Sequence, residues 1–191
     1  TRLMRFGVGA AAPLTLVLTH SHFDHAENAA ALKREFNAVI MVHESEADNL
    51  EQGENPAIRG ANPFFRFLVR AGERSGIMAR MGYAGTPADL LVGNHFDLQP
   101  QGFPGAVIHT PGHTPGSMSV VLDSEIALVG DTLFGIFPGS VFPPFAVDLE
   151  ELAQSWKKLL ETNCTLFLPG HGRPRSRAHL QRGFQKLHRQ F

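Results

Sequence analysis

The sequence has almost no cysteine. Cys164 is the only one among 191 residues, so the chain can form no internal disulfide and no cysteine-based zinc site. This scarcity suits a reducing compartment, and we expect a cytoplasmic protein. Long apolar runs are also missing. None approaches the ~20 residues that a membrane-spanning helix needs, so we expect no membrane partner.

The chain also has little excess charge of either sign. It holds 17 basic and 18 acidic residues, for a net charge of −1, so its overall charge gives no reason to expect nucleic acid as a partner. The exception is residues 172–191, with six basic residues and no acidic one. An anion-binding rim or an RNA contact would explain this tail. We favour a solvated helix whose cations lie near its C-terminus, where the helix dipole stabilises them.

Apolar and helix-forming segments alternate along the chain. Hydrophobic residues make up 43% of it, which predicts a packed globule. The pattern predicts strands over 14–18, 38–43, 90–99, 105–110, 117–123, 125–130 and 165–170. It predicts helices over 26–36, 45–52 (capped by Ser45), 64–81 (broken at Gly72 and Gly76), 148–161 (capped by Asp148) and from Ser176 onward. Without repeats or a visible boundary, we expect one α/β or α+β domain over residues 1–191.

Histidines and aspartates gather at the ends of several predicted strands, where such folds collect reactive groups. They stand in the segments "THSHFDH", "TPGHTPGS", "GDTLF" and "LPGHG", as His20, His22, Asp24, His25, His113, Asp131 and His171. Imidazole and carboxylate together suit zinc, iron or manganese. Seven candidates are too many for one ion with an open position. They suit two ions ~3.5–4 Å apart that share a bridging hydroxide.

These four segments, in this order, resemble the metallo-β-lactamase superfamily of metal-dependent hydrolases. The resemblance covers about residues 14–172 and implies a four-layer αββα sandwich with the metals at one edge between the sheets. It implies that the first metal is held by His20, His22 and His113. The second would be held by Asp24, His25 and His171, and Asp131 would bridge. We expect two zinc ions, with iron or manganese as alternatives.

Within this superfamily the residues resemble one branch more than another. The best-known antibiotic-hydrolysing members carry a second-metal cysteine, which this chain lacks, so the pattern is similar to the glyoxalase II and lactonase branch. The expected reaction is hydrolysis of a thioester, ester or lactone by a metal-bridging hydroxide, with Asp24 and Asp131 as the catalytic carboxylates. Two alternatives stay open. One is a mononuclear iron persulfide dioxygenase using His20, His113 and Asp131, and the other is a non-catalytic metal-binding member of the fold.

Both ends of the chain depart from the family pattern. Only 19 residues precede His20, where the family usually has two or three strands and an Asp-containing turn. We therefore expect either that the N-terminal strands are truncated or that the first sheet is unusually small, with residues 2–9 as the helix that normally follows those strands. Only 20 residues follow His171, too few for the helical domain with which glyoxalase II binds glutathione.

An apolar loop, residues 133–145, directly follows Asp131. Its phenylalanines could pack on the domain's own core, or they could wall the mouth of a substrate site. We predict that Phe134, Phe137 and Phe142 contact a small-molecule substrate with an apolar portion. For Tyr83, the only tyrosine, packing is favoured over a place near the metals. The sequence leaves both a monomer and a homodimer open.

Overall fold

The computed structural model describes residues 14–77 and 80–189. The helix expected over residues 2–9 lies outside these residues. The strands are β1 (Thr15–Val17), β2 (Val39–His43), β3 (Leu90–Val92), β4 (His95–Asp97), β5 (Gly105–His109), β6 (Met118–Leu122), β7 (Ile126–Gly130), β8 (Leu166–Pro169) and β9 (Arg175–Ser176). The helices are α1 (Phe23–Ala26), α2 (Ala29–Phe36), α3 (Ala47–Gln52), α4 (Pro63–Arg74), α5 (Leu149–Glu161) and α6 (Arg177–His188).

The strands form two sheets. The first holds three parallel strands in the order β1-β2-β3, and the second holds six in the order β4 to β9. All neighbours in the second sheet are antiparallel except β7 and β8, which are parallel. Parallel neighbours end at the same edge of a sheet. The segments that follow β7 and β8 therefore begin side by side.

Three apolar clusters show how the layers stack. Alternate residues of β2 point to opposite faces, so Ile40 and Val42 pack with α1, α2 and α3, while Met41 packs with Val107 and Met118 of the second sheet. The other face of the second sheet packs on α5 and α6, around the fully buried Trp156. Helices, sheet, sheet and helices thus form the expected αββα sandwich.

Helix α5 matches its prediction closely. Asp148 is its N-cap, and the carboxylate accepts hydrogen bonds from the backbone N–H groups of Glu150 and Glu151 at 2.8 and 2.9 Å. The predicted C-terminal helix is also present, as α6. Two arginines of the basic tail bind backbone carbonyls: Arg175 bonds Phe137 and Ser140, and Arg177 bonds the end of α5. No helix among the described residues is long and apolar enough to cross a membrane.

Three local predictions were wrong. The run 90–99 is two strands, because the chain bends at Gly93 and leaves the first sheet to join the second. The predicted break at Gly72 is absent, because helix α4 continues through Gly72 to Arg74; the break predicted at Gly76 is present, and Gly76 has a left-handed φ of +69°. Ser45 lies inside a short 3₁₀ helix and caps nothing; the side chain of His43 accepts the N-terminal hydrogen bond instead.

Candidate metal centre

The seven predicted ligands lie together at one edge of the sandwich. His20, His22, Asp24 and His25 follow β1 through a short loop and the single turn of α1. His113 lies in the loop between β5 and β6, while Asp131 and His171 follow the neighbouring strands β7 and β8. Sequence positions as far apart as 20 and 171 therefore meet because the strand ends meet.

The first group comprises His20, His22 and His113, whose ligand atoms lie within 4.8 Å of one another. Their exposed fractions are 0%, 6% and 2%. His113 Nδ1 lies 2.9 Å from the carbonyl oxygen of Phe145. A donated hydrogen bond there leaves Nε2 free as a ligand, in the usual arrangement for a metal-binding imidazole. That Nε2 lies 3.1 Å from His22 Nδ1. This separation is close to the ~3.3 Å between two tetrahedral ligands, each ~2.0–2.1 Å from a zinc ion.

The second group comprises Asp24, His25 and His171, again with ligand atoms within 4.8 Å of one another. Asp24 Oδ2 lies 3.1 Å from His171 Nε2 and 3.8 Å from His25 Nε2. This group is more open than the first, with side-chain exposures of 36% for Asp24 and 35% for His171. A ligand from solvent can therefore reach it more easily.

Asp131 lies between the two groups. One carboxylate oxygen is 3.5 Å from His25 Nε2, and the other is 3.8 Å from His113 Nε2 and 3.5 Å from His171 Nε2. His20, His25 and Asp131 themselves form a third set of ligand atoms within 4.8 Å. A single buried carboxylate that faces both groups has the position that a bridging ligand requires.

Four buried side-chain nitrogen and oxygen atoms among the described residues have no hydrogen-bond partner: His20 Nε2, His22 Nε2, His25 Nε2 and Asp131 Oδ1. Each such atom costs ~1–3 kcal/mol if nothing satisfies it. Three of the four belong to one cluster of ligand atoms. A bound cation would satisfy them together, and imidazole with carboxylate is a donor set that zinc, iron and manganese accept. The residues therefore fit a metal centre.

The pKa shifts of the first group's histidines agree with metal binding. Burial, with the charges of neighbouring histidines, lowers the pKa of His20, and burial lowers the pKa of His113. The same causes lower the pKa of His22 to about 3. Burial also opposes charge on His25, but the carboxylate of Asp131 outweighs it and raises the pKa of His25. The buried first group is thus neutral near pH 7, as metal ligation requires.

Two features of the second sheet help to position Asp131 and His171. The indole N–H of Trp156 donates to the carbonyl of Thr132 at 2.7 Å, which anchors the backbone beside Asp131. Gly170 precedes His171, and a Cβ there would lie 2.6 Å from His25 Cε1 and 2.7 Å from Asp131 Oδ1. Only glycine leaves room for the ligands at this position.

Sequence reasoning missed Glu46 and the hydrogen bond of the Tyr83 hydroxyl, both beside the ligand loops. Glu46 is 1% exposed and accepts hydrogen bonds from Ser21, between His20 and His22, and from Gly116, in the loop of His113. Tyr83 packs as expected, but its hydroxyl also donates to the Ser21 carbonyl at 2.8 Å. Glu46 and Tyr83 are both distant in sequence from Ser21, and no local motif marks either residue.

A cavity of about 410 Å³ opens over the centre. Its floor includes five of the predicted ligands, and its walls are apolar. The walls comprise Phe23, Ile58, Leu68, Val69, Met81, Phe134, Ile136, Pro144 and Phe145. Among the predicted substrate residues, only Phe134 lines this cavity. Phe142 instead packs on Trp156, with ring centroids 5.1 Å apart, and Phe137 lies 46% exposed outside the wall.

The fold and this arrangement define a known class. The sequence model of the metallo-beta-lactamase superfamily matches residues 1–171. The chain belongs to the metallo-beta-lactamase superfamily. Membership implies divalent metal binding and supports a metal-dependent hydrolase.

Individual relatives agree with this assignment. The "Probable metallo-hydrolase YqgX" of Bacillus subtilis is 28% identical over 123 residues, or 64% of this chain and 50% of that protein. The chain therefore spans about half the length of that relative. The "Hydroxyacylglutathione hydrolase GloC" of Haemophilus influenzae is 30% identical over 82% of this chain and 68% of its own length. Among solved structures, the BLEG-1 B3 metallo-beta-lactamase superposes with a TM-score of 0.70 at 26% identity. The match covers 97% of this chain and 81% of that one.

Proposed function

We propose that this protein is a dinuclear metal-dependent hydrolase of thioesters, esters or lactones, with zinc as its metal. The observation that carries the proposal is the position of Asp131, whose two oxygens lie within 3.8 Å of histidines from both ligand groups. When bound, a metal pair supplies a hydroxide nucleophile near neutral pH and polarises the substrate carbonyl. The similarity to a hydroxyacylglutathione hydrolase supports a thioester as one substrate class.

The chain's own residues divide the remaining tasks. Asp131, which lines the cavity, would hold the centre together with His20 and His25. Asp24 also lines the cavity and its side chain is 36% exposed, so its carboxylate can accept the proton that a water molecule loses when it forms the hydroxide. The apolar wall would bind the acyl or leaving group and exclude water from the reacting carbonyl, which strengthens the electrostatic interactions at the site.

A panel of thioesters, esters and lactones tests the proposal with zinc-loaded protein. We expect turnover of at least one class, and its loss in His171→Ala. The matched control is His95→Ala, because His95 is an exposed histidine on β4, outside the three ligand clusters. A protein that holds a single iron and consumes oxygen with a persulfide would contradict the proposal. So would hydrolysis that survives His171→Ala unchanged.

A further inference from the structure

A second, polar depression of about 220 Å³ adjoins the metal cavity. It is lined by Ile58, Arg59, Gly60, Arg66, Val69, Arg70 and Glu73. Ile58 and Val69 line both the depression and the metal cavity, so these two side chains form the wall between the depression and the cavity. One molecule can therefore lie across this wall, with one end at the metals and the other among the arginines.

The depression carries unbalanced positive charge. Three arginines and one acidic residue, Glu73, line it. Among the described residues, the lysine and arginine ion pairs are Lys33 with Asp89 and Lys157 with Glu161. The three arginines are therefore not neutralised by a contacting carboxylate within the described part of the chain. Their remaining N–H donors suit a carboxylate or phosphate, which guanidinium binds in a planar, two-pronged geometry.

Backbone hydrogen bonds hold the segment that carries Arg59 and Gly60 against the loop that carries Phe145. Gly60 pairs with Phe145 across an isolated bridge, and the flanking N–H groups of Ala61 and Ala146 bond the carbonyls of Pro144 and Arg59 at 2.9 and 2.8 Å. Arg66 Nε bonds the Gly60 carbonyl at 3.2 Å. This segment runs beside the cavity wall at Phe145, so the backbone at Arg59 and Gly60 is fixed next to that wall.

We propose that this depression binds an anionic group of the substrate, a carboxylate or a phosphate. The scissile carbonyl then lies at the metal centre, and an apolar stretch of the same molecule crosses Ile58 and Val69. This inference rests on the proposed hydrolase function and narrows its substrates to anionic amphiphiles. A purely apolar ester would fill the metal cavity and leave the arginines in water.

The test compares three thioesters of equal chain length, ending in a methyl group, a carboxylate or a phosphate. We expect wild-type protein to prefer one of the two anionic substrates by about tenfold in kcat/KM. In Arg70→Gln, KM for that substrate should rise about fivefold, while the methyl-ended substrate is unaffected. Arg74→Gln is the matched control, because Arg74 lies on the same helix but does not line the depression. The preferred anionic substrate shows whether the depression binds a carboxylate or a phosphate group.

A binding measurement separates this inference from the hydrolase proposal. The thioether analogue of the preferred substrate cannot be hydrolysed, and calorimetry should show that Arg70→Gln weakens its binding by about the same factor. Equal kcat/KM for all three wild-type substrates, or equal effects of Arg70→Gln and Arg74→Gln, would overturn the inference and leave the hydrolase standing. If no thioester, ester or lactone is hydrolysed, the hydrolase proposal fails by itself.

Discussion

Replacing Glu46 should weaken both the fold and the metal centre, although Glu46 is not itself a predicted ligand. Its carboxylate accepts hydrogen bonds from the backbone N–H of Ser21 at 3.0 Å, from the Ser21 hydroxyl, and from the N–H of Gly116 at 3.1 Å. A Cβ on Gly116 would lie 2.2 Å from Glu46 Cγ, so the backbone approaches as closely as it can. One side chain thus joins the loops that carry His22 and His113.

The magnitude follows from the donors left without an acceptor. Glu46→Gln keeps the volume but turns one acceptor oxygen into an NH₂ group, which must face a backbone N–H. One buried donor left unsatisfied lowers the free energy of unfolding by ~1–3 kcal/mol. Loss of the charge also weakens the other hydrogen bonds, so the total loss should be ~2–4 kcal/mol. Metal affinity should fall by about 10–100-fold, as it does when residues that orient metal ligands are replaced.

Urea denaturation of metal-free protein measures the change in the free energy of unfolding. Competition with a chelator for zinc measures the change in metal affinity. Glu44→Gln is the matched control, since Glu44 lies in the same 3₁₀ helix and is exposed. We expect the control to change neither quantity. If Glu46→Gln matches wild type in both assays, Glu46 does not hold the two loops together and this reasoning is refuted.

Three further predictions concern the pocket and its ionisation. Gly170→Ala should lower metal content, because the added methyl would contact His25 and Asp131; metal analysis of the purified variant checks this, and full occupancy would contradict it. Burial gives His22 a folded pKa of about 3, below its unfolded value near 6.5. The unfolded chain then binds more protons between these values, so metal-free protein should lose stability as pH falls from 6.5 toward 3. Thermal unfolding at several pH values measures this, and a flat profile would refute it. Phe142→Ala should lower stability by ~1–3 kcal/mol without changing KM, because Phe142 is partly buried against Trp156. Phe134→Ala should in addition raise KM for apolar substrates. A rise in KM in the Phe142 variant alone would show that Phe142, not Phe134, contacts the substrate.

The clustering of the seven candidate ligands was predictable from sequence because each candidate stands in a short motif at a strand end. His20, His22 and His25 lie within six positions, and no long-range information is needed to see them as a cluster. The alternation of apolar residues also predicts most strands and helices, since burial on one face leaves a periodic trace. The αββα arrangement followed from the resemblance, and the structure supports it through its three apolar clusters.

Other features depend on contacts that no local pattern records. Glu46 meets Ser21 across 25 positions and Gly116 across 70, and a glutamate in a short helix ordinarily faces solvent. Phe134 and Phe142 occupy one loop with similar neighbours, yet one lines the cavity and the other packs on Trp156. The position of each phenylalanine depends on how α5 and the loop pack together, and the sequence of the loop alone does not determine this packing.

Metal content tests the central claim most directly. Protein purified without chelator and analysed for zinc, iron and manganese should hold two ions per chain. His171→Ala should hold about one, because it removes a ligand from the second group alone. The Asp131→Asn variant should weaken both sites, since its carboxylate faces histidines of both groups. Wild-type protein with one ion, or with none after loading with zinc, would contradict the dinuclear centre.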